Sequence, residues 1–286
     1  MTTPADDPGR TRRRLRTIPA MLLAFVLLAG LMPLWLLLSL SIDLVRRVAS
    51  NKPFVTTRLL LFGVFYTAAE LVGLVVLSGA WLLTRDHERR LERTYRVQAG
   101  WAYALYRAAL VLFDLRVEVR GSECVLPGPV VVMMRHASIL DTLLPTVLIS
   151  RAHGLHLRFV LKRELLNLPC LDVAGNRLPN CFVGRGGDDS EREIAKVRAL
   201  STDLTRDEGL LIYPEGTRFS PAKLARALAR LQQNDPARFA RYREVTQVLP
   251  LKKGGVLAML DQAAHADLVI AAHRGLTGFA ELGDLW

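Results

Sequence analysis

Residues 129–141 read PVVVMMRHASILD, and this stretch decides the fold of the chain. Its apolar first part, residues 129–134, is typical of a buried β-strand. Polar groups follow directly, with His136 and, after four intervening residues, Asp141. Because open α/β sheets bind and transform ligands beyond the carboxyl ends of their strands, the stretch predicts a strand that leads into a reactive site.

The same arrangement recurs further along the chain, where the apolar run 209–213 precedes the turn 214–218, which reads PEGTR. Strand-like and helix-like segments alternate around these two stretches. Such alternation predicts an α/β fold with a largely parallel sheet that helices cover on both faces. Further strand-like runs lie at 117–119, 157–161, 181–183, 248–251 and 268–272, and helix-like segments lie at 142–150, 191–207, 221–233, 236–242 and 255–264.

The composition restricts the class of partner. The chain of 286 residues has a net charge of +11, which implies an anionic partner such as a nucleic acid, an anionic lipid or a phosphorylated substrate. Aromatic residues are not interleaved with basic ones as in nucleic-acid modules, so no nucleic-acid partner is expected. The cysteines Cys124, Cys170 and Cys181 have neither metal nor redox spacing, which predicts packing roles in a reducing compartment. His153 and His156 lack a third ligand, so no metal site is expected.

Two long apolar stretches lie near the N-terminus. Residues 17–42 carry no charge and exceed the ~20 residues that a helix needs to cross a bilayer, and residues 59–84 carry one charge, Glu70. A signal peptide is disfavoured, because its apolar region spans only about 7–15 residues. The sequence therefore predicts an N-terminal membrane anchor, residues 1–94, with two apolar helices at about 17–42 and 59–84. The aromatic segment 95–115 is either a helix at the membrane interface or an amphipathic helix packed on the domain.

The flanks of the anchor predict its orientation. Arginine-rich segments at 10–16 and 85–93 favour the cytoplasm for both ends. Gly30 and Pro33 leave a second arrangement open, in which a broken first helix dips into one leaflet. Glu70 marks an ion or substrate path, is protonated, or faces a neighbouring helix or the catalytic domain.

His136 and Asp141 form a candidate catalytic pair. Histidine has an unperturbed pKa of about 6.5, so it accepts and returns a proton near neutrality. The carboxylate would bond one ring nitrogen, fix the tautomer and stabilise the imidazolium. No Gly-x-Ser-x-Gly elbow is present, so the nucleophile is expected to be a substrate hydroxyl. On spacing alone, a helix-capping aspartate beside an incidental histidine remains the alternative.

Further blocks follow this pair along the chain. They are residues 162–165 (KREL), 181–185 (CFVGR), 213–218 (YPEGTR) and 248–254 (VLPLKKG). In this order and spacing, and with the His-x4-Asp pair at their head, they resemble the sequence blocks of the glycerolipid acyltransferase family. The resemblance covers roughly residues 120–256. Two departures bear on the acceptor more than on the reaction: Arg135 stands where the family often has Asn, and Phe219 stands where Ser is common.

The apolar stretches and the arginine-rich flanks predict an integral cell-membrane protein, and together with the resemblance they predict an acyltransferase domain, residues 95–286, on the cytoplasmic side. The resemblance implies transfer of a fatty acyl group from acyl-CoA or acyl carrier protein to the free hydroxyl of a lysophospholipid. The favoured acceptor is 1-acyl-glycerol-3-phosphate, in phospholipid synthesis or remodelling. His136 would be the general base and Asp141 its orienting partner, with no cofactor. The implied acceptor-binding residues are Arg185, Glu215, Gly216, Thr217 and Arg218.

Other interpretations remain. The acceptor is a different lysolipid, or the chain is a non-catalytic lipid-binding membrane protein, against which the intact His136 and Asp141 argue. A third interpretation is an ion-coupled transporter built around Glu70, and the small number of candidate spans, two, argues against it. Lys223 and Arg226, with Arg230 at helical spacing, form either a solvated charged face or a docking surface for membrane phosphates or an acyl carrier.

Overall fold

The computed structural model describes residues 9–184 and 190–277, which form two compact units. The helical unit comprises residues 9–120 and 162–180, and the sheet unit comprises residues 121–161, 181–184 and 190–277. The predicted boundary at residue 94, between a membrane anchor and an acyltransferase domain, stays a prediction.

In the helical unit, α3 is the helix that all the others contact. It has the most apolar sequence of the four long helices in the unit. Its buried residues Leu74 and Leu77 pack in one apolar cluster with α5. The described α-helices of this unit are α1 (Arg10–Gly30), α2 (Met32–Ser50), α3 (Val55–Leu82), α4 (His87–Phe113) and α5 (Pro169–Gly175).

The first predicted apolar helix is divided into two helices. α1 ends at Gly30 and α2 begins at Met32, and their axes are bent by 71°. Pro33 lies in the first turn of α2, where its missing N–H and its ring prevent α1 from continuing. The structure therefore has two helices over 17–42 instead of one. The break lies where Gly30 and Pro33 predicted the alternative of a broken helix.

The second predicted apolar helix, 59–84, corresponds to α3. Its most apolar stretch has a mean hydropathy of 2.2, which makes α3 long and apolar enough to cross a membrane. The bent pair α1–α2 is a second candidate if the pair counts as one span. Anchoring in a membrane, and the orientation of the anchor, stay predictions.

Two fully buried carboxylates satisfy helix starts in the helical unit. Asp43 of α2 accepts hydrogen bonds from the N–H groups of Thr56 (3.0 Å) and Thr57 (2.8 Å) in the first turn of α3. Glu70 of α3 accepts from the N–H of Cys170 (2.9 Å) at the start of α5. These N–H groups have no partner within their own helices, so the carboxylates replace the water that burial removed. Of the alternatives for Glu70, this contact favours the one in which its side chain faces a neighbouring helix.

The arginine-rich start of α1 binds a buried carboxylate. Asp172 of α5 is fully buried and lies 2.7 Å from Nη2 of Arg13 and 2.6 Å from Nε of Arg14. Removing one partner of such an ion pair leaves an uncompensated buried charge, which costs about 3–5 kcal/mol. Two arginines of the predicted cytoplasmic flank, 10–16, therefore hold α1 and α5 together.

The sheet unit contains a parallel sheet, as predicted. β1 pairs in parallel with β4 and β5, and β2 pairs in parallel with β4. The continuous apolar sequence of β1 fits this position, because a strand flanked by two others and covered by helices has no face in water. The strands, in spatial order, are β3 (Cys181–Val183), β2 (His156–Lys162), β4 (Glu208–Ile212), β1 (Val130–Met134) and β5 (Asp267–Ala271).

The register brings three strand ends to one edge of the sheet. Met133 of β1 lies opposite Ile212 of β4, and Met134 lies opposite Ala271 of β5. The residues that follow β1, β4 and β5 therefore emerge side by side, although they are far apart in sequence.

Helices flank this sheet. Helices α6 (Ser190–Leu200) and α9 (Lys253–Gln262) share one buried apolar cluster with the strands. Helix α7 (Pro221–Asn234) is followed by α8 (Pro236–Tyr242). The buried residues of the α6–α9 cluster are Val131, Cys181, Val197, Leu200, Leu204, Leu210, Ile212, Val256, Met259 and Ala263.

Two predicted strands, 117–119 and 248–251, have no regular structure. The second segment is apolar, but backbone N–H groups in it and next to it donate hydrogen bonds to the turn after β4 rather than to a strand. The N–H of Leu249 donates to Glu215, and the N–H of Lys252 donates to the carbonyl of Pro214. Pro250 has no N–H to give to a ladder.

Two predicted helices differ in form. Instead of one α-helix over 142–150, the chain forms a 3₁₀ turn, Leu140–Thr142, and a π-helical stretch, Thr146–Arg151. Such irregular helix geometry is frequent beside functional sites. The predicted helix 191–207 ends at Leu200. Helix α8 has the bounds that the sequence predicted, since Asp235 caps it and Pro236 occupies its first turn.

Candidate active site

The loop after β1 and the turn after β4 meet at His136. Its backbone N–H donates to Oε1 of Glu215 at 3.0 Å, and its carbonyl accepts from the N–H of Phe219 at 2.6 Å. Both partners follow β4, the neighbour of β1, so the parallel register places them there. The two motifs that the sequence singled out thus form one site.

His136 and Asp141 are in contact within this site. Nδ1 of His136 lies 3.3 Å from Oδ2 of Asp141, and both residues are buried. Oδ2 also accepts the N–H groups of Ala137 (2.6 Å) and Ser138 (2.7 Å), so the loop holds its own carboxylate. With Nδ1 turned to the carboxylate, Nε2 is the ring nitrogen left to exchange a proton with a substrate.

The surroundings of Asp141 keep it ionised. Burial alone would raise the pKa of Asp141, but the contacts with His136 and His273 and the N–H of Ser138 outweigh burial and lower it well below its usual range. The hydroxyl of Tyr213 donates to the backbone carbonyl of Asp141 at 2.6 Å, and its ring centroid lies 4.4 Å from that of His136. Burial and the charge of Asp141 raise the pKa of Tyr213, so this hydroxyl stays neutral.

Glu215 connects two loops. Its side chain is buried, with Oε1 on the N–H of His136 and Oε2 on the N–H of Leu249 at 2.9 Å. Burial raises the pKa of Glu215, although these two N–H groups and the charge of Arg135 oppose it. Both oxygens are thus engaged in holding backbone. Contact of Glu215 with an acceptor stays a prediction.

The turn after β4 gathers cations. Gly216 has a φ of +68°, which favours glycine, and a Cβ there would lie 2.8 Å from Cδ and Cε of Lys252. Nζ of Lys223 lies 3.0 Å from the carbonyl of Arg218 and 3.5 Å from Oγ1 of Thr217. Two lysines therefore join Arg218 around the turn. No sequence pattern assigned a role to Lys252, and Lys223 was predicted to lie on a solvated charged face or a docking surface. Arg185 lies outside the described residues.

A family comparison identifies the class of protein. The protein-family model described as Acyltransferase matches residues 116–272, more than half of the chain. The chain belongs to the acyltransferase family. The resemblance inferred from the sequence blocks is therefore confirmed, and the protein is an acyltransferase. No solved structure matches the chain.

Two residues of the candidate site were missed by sequence reasoning. His273, two residues after β5, places Nε2 2.9 Å from Oδ1 of Asp141. Arg135 was noted only as a departure from the family pattern. Its Nε donates to the carbonyl of Gln247 and its Nη1 to the carbonyl of His273, both at 2.8 Å, so it ties the His136 loop to two other segments. No sequence spacing points to either residue, because the partners of each lie more than a hundred residues away in the chain.

In the described part of the acyltransferase, no cluster of side chains is suited to a metal. Among residues 9–184 and 190–277, no group of three or more His, Cys, Asp or Glu side chains is arranged to hold an ion. The three cysteines are free, with Cys170 and Cys181 buried and Cys124 exposed. Burial, with the charge of Glu193, raises the pKa of the Cys181 thiol to about 11, so it is a poor nucleophile at neutral pH.

Proposed function

We propose that this acyltransferase transfers a fatty acyl group from acyl-CoA or acyl carrier protein to the free hydroxyl of a lysophospholipid. The favoured acceptor is 1-acyl-glycerol-3-phosphate. The observation that supports the proposal most directly is the buried contact of His136 with Asp141, at 3.3 Å, beside a turn rich in cations. A base next to a phosphate-binding turn suits an acceptor that carries both a hydroxyl and a phosphate.

His136 acts as the general base in the proposed mechanism. Nε2 takes the proton of the acceptor hydroxyl as its oxygen attacks the thioester carbonyl. The tetrahedral intermediate then collapses, the carbon–sulfur bond breaks, and the departing sulfur receives the proton from His136. Asp141 stabilises the imidazolium between the two proton transfers and fixes the tautomer.

The turn after β4 binds the acceptor phosphate. Arg218 offers a planar guanidinium, which pairs with phosphate through parallel hydrogen bonds. Gly216 lets backbone N–H groups approach closely, and Thr217 adds a hydroxyl. Lys252 and Lys223 lie against the same turn and add positive charge. Arg185 keeps the acceptor-binding role that the family resemblance implies.

The proposed location is the membrane, where the acceptor resides. Helix α3 and the bent pair α1–α2 would anchor the protein, with the catalytic residues on the cytoplasmic side, where acyl donors are made. A lysophospholipid that reacts at the membrane surface keeps its acyl chain in the bilayer. That avoids exposing the chain to water, at about 0.8 kcal/mol for each CH₂ group.

An acceptor panel tests this function. The purified full-length protein is incubated with labelled acyl-CoA and, in a parallel series, with acyl carrier protein loaded with the same acyl group. Each donor is offered lysophospholipids that differ in head group, and a glycerol-3-phosphate arm tests an acceptor without an acyl chain. The expected result is labelled product with 1-acyl-glycerol-3-phosphate and none with the His136→Ala variant. Product only with other acceptors would contradict the proposed acceptor, and no product with any lysophospholipid would contradict the function.

A further inference from the structure

We infer that His273 is a positioning residue for acyl transfer, which holds the second oxygen of the Asp141 carboxylate while His136 uses the first. The inference rests on the proposed function for its kinetic test. His273 lies one residue beyond the part of the chain that the family model matches.

The two oxygens of Asp141 have separate partners. Oδ2 faces Nδ1 of His136 and the N–H groups of Ala137 and Ser138. Oδ1 faces Nε2 of His273 at 2.9 Å and has no hydrogen-bond partner in the described chain. The distance is that of an ion pair. The fully buried carboxylate therefore lies between two imidazoles.

The register between β1 and β5 fixes the positions of His136 and His273 relative to each other. Met134 ends β1 opposite Ala271, the end of β5, so His136 and His273 each stand two residues beyond paired strand ends. The N–H of Arg135 donates to the carbonyl of Ala271 at 3.0 Å, and its guanidinium donates to the carbonyl of His273. Backbone pairing and one arginine thus fix the position of the second imidazole.

The second imidazole affects both the position and the charge of Asp141. A carboxylate held at one oxygen can turn about its Cβ–Cγ bond, and contact at the other oxygen opposes that motion. A protonated His273 would add a positive charge beside Oδ1, and a neutral ring that carries its proton on Nε2 would turn the positive end of that N–H dipole towards the carboxylate. Either state draws negative charge away from the oxygen that faces His136. Three other titratable or charged groups contact this part of the site: Arg135 donates to the carbonyl of His273, Tyr213 donates to the carbonyl of Asp141, and Glu215 accepts from the N–H of His136.

Substitution of His273 is expected to change turnover and its pH dependence. In His273→Ala the carboxylate loses a support, and kcat should fall on the order of 10- to 100-fold with the acceptor KM retained, as for a misplaced catalytic group. The more negative Asp141 then stabilises protonated His136. The acid limb of kcat/KM should therefore move to higher pH, because the enzyme needs neutral His136.

Matched variants separate positioning from packing. His273→Gln keeps an N–H donor at a distance from the backbone similar to that of Nε2, and it should recover most of kcat with a smaller shift of the acid limb. His265→Ala removes an exposed histidine of the same unit and should match the wild type. If His273→Ala does not fold, His273→Asn takes its place, since its shorter amide does not reach Oδ1. Unchanged kcat, or a loss without any shift of the acid limb, would overturn the inference.

A spectroscopic readout keeps this test apart from the choice of acceptor. In protein labelled with ¹⁵N-histidine, the His136 signal, assigned by its loss in His136→Ala, should titrate at higher pH in His273→Ala than in the wild type. This holds even if no lysophospholipid is acylated, a result that would contradict the proposed function alone. Identical His136 titration curves in the two proteins would contradict the role of His273.

Discussion

At the scale of single residues, the site depends on how completely Asp141 is held. Its Oδ2 meets three donors within its own loop, and Oδ1 meets His273. A buried anion of this kind is stable only with such partners. Its charge is therefore available to the reaction at any physiological pH, and the proton-transfer step is left to His136.

The first prediction concerns this pair. His136→Ala should remove the only proposed base and lower turnover on the order of 10²- to 10⁴-fold, with the fold retained. Asp141→Asn should also be severely impaired, because an amide no longer fixes the tautomer of the ring. Turnover of each purified variant is measured beside its melting temperature in detergent. Near-normal turnover in either variant would rule out the proposed mechanism.

The second prediction concerns the acceptor phosphate. Arg218→Ala should remove the proposed charge-assisted contact with the acceptor phosphate, which is worth about 1.5–3 kcal/mol. The acceptor KM should rise roughly 10- to 100-fold, with little change in the donor KM. Arg241→Ala is the control, since this exposed arginine of α8 belongs to none of the proposed binding surfaces. A rise in the donor KM instead would assign the turn to the acyl donor.

At the scale of elements, close packing of α3 on α5 explains a glycine in an apolar helix. A Cβ at Gly73 would lie 2.6 Å from Sγ of Cys170 and 3.3 Å from the ring of Trp101. A Cβ at Gly79, in the same helix, would meet nothing within 4 Å. The contact of Glu70 with the start of α5 fixes the two helices at this distance, so α5 cannot simply move away.

The third prediction uses these two glycines. Gly73→Ala should destabilise the protein by about 1–3 kcal/mol through overpacking, although alanine is the better helix former. Gly79→Ala, the matched control, should be neutral or more stable by up to about 1 kcal/mol. Melting temperatures in one detergent compare the two. The double variant Gly73→Ala/Cys170→Ala should regain part of the loss, and equal effects of the two single variants would show that α5 does not pack there.

At the scale of the whole molecule, the predicted features are anchoring in a membrane and the orientation of that anchor. Helix α3 and the bent pair α1–α2 satisfy the requirements of length and hydropathy, and the arginines at 10–16 and 85–93 predict a cytoplasmic location for both flanks. Arg13 and Arg14 are partly neutralised by Asp172, so the second flank carries more of the orientation signal.

The fourth prediction tests that orientation. Glu88→Cys, an exposed position at the start of α4, is labelled in intact cells with a membrane-impermeant thiol reagent. The exposed native thiol is removed by Cys124→Ser, and Lys52→Cys, in the connection between α2 and α3, reports the other side. Position 88 should be protected until the cells are opened. Labelling of position 88 in intact cells would place the second flank outside and end the cytoplasmic assignment.

The sequence by itself determined the parallel α/β fold, the family and the stretches that carry the site. Continuous apolar runs followed by polar residues identified β1 and β4, because buried parallel strands need such sequences. Local signals also defined α8, where Asp235 and Pro236 begin the helix. They allowed for the break between α1 and α2, which depends on Pro33. These features depend on residues that are neighbours in the chain.

Only the tertiary structure decided which residues share Asp141, what Glu215 bonds and where residues 248–251 belong. That segment has an apolar sequence, yet Leu249 gives its N–H to Glu215 instead of to a strand. His273 has no motif, and it reaches Asp141 because β5 pairs with β1 so that Ala271 lies opposite Met134. The physical reason is that local sequence sets which elements form, whereas strand register and side-chain packing set which distant groups meet.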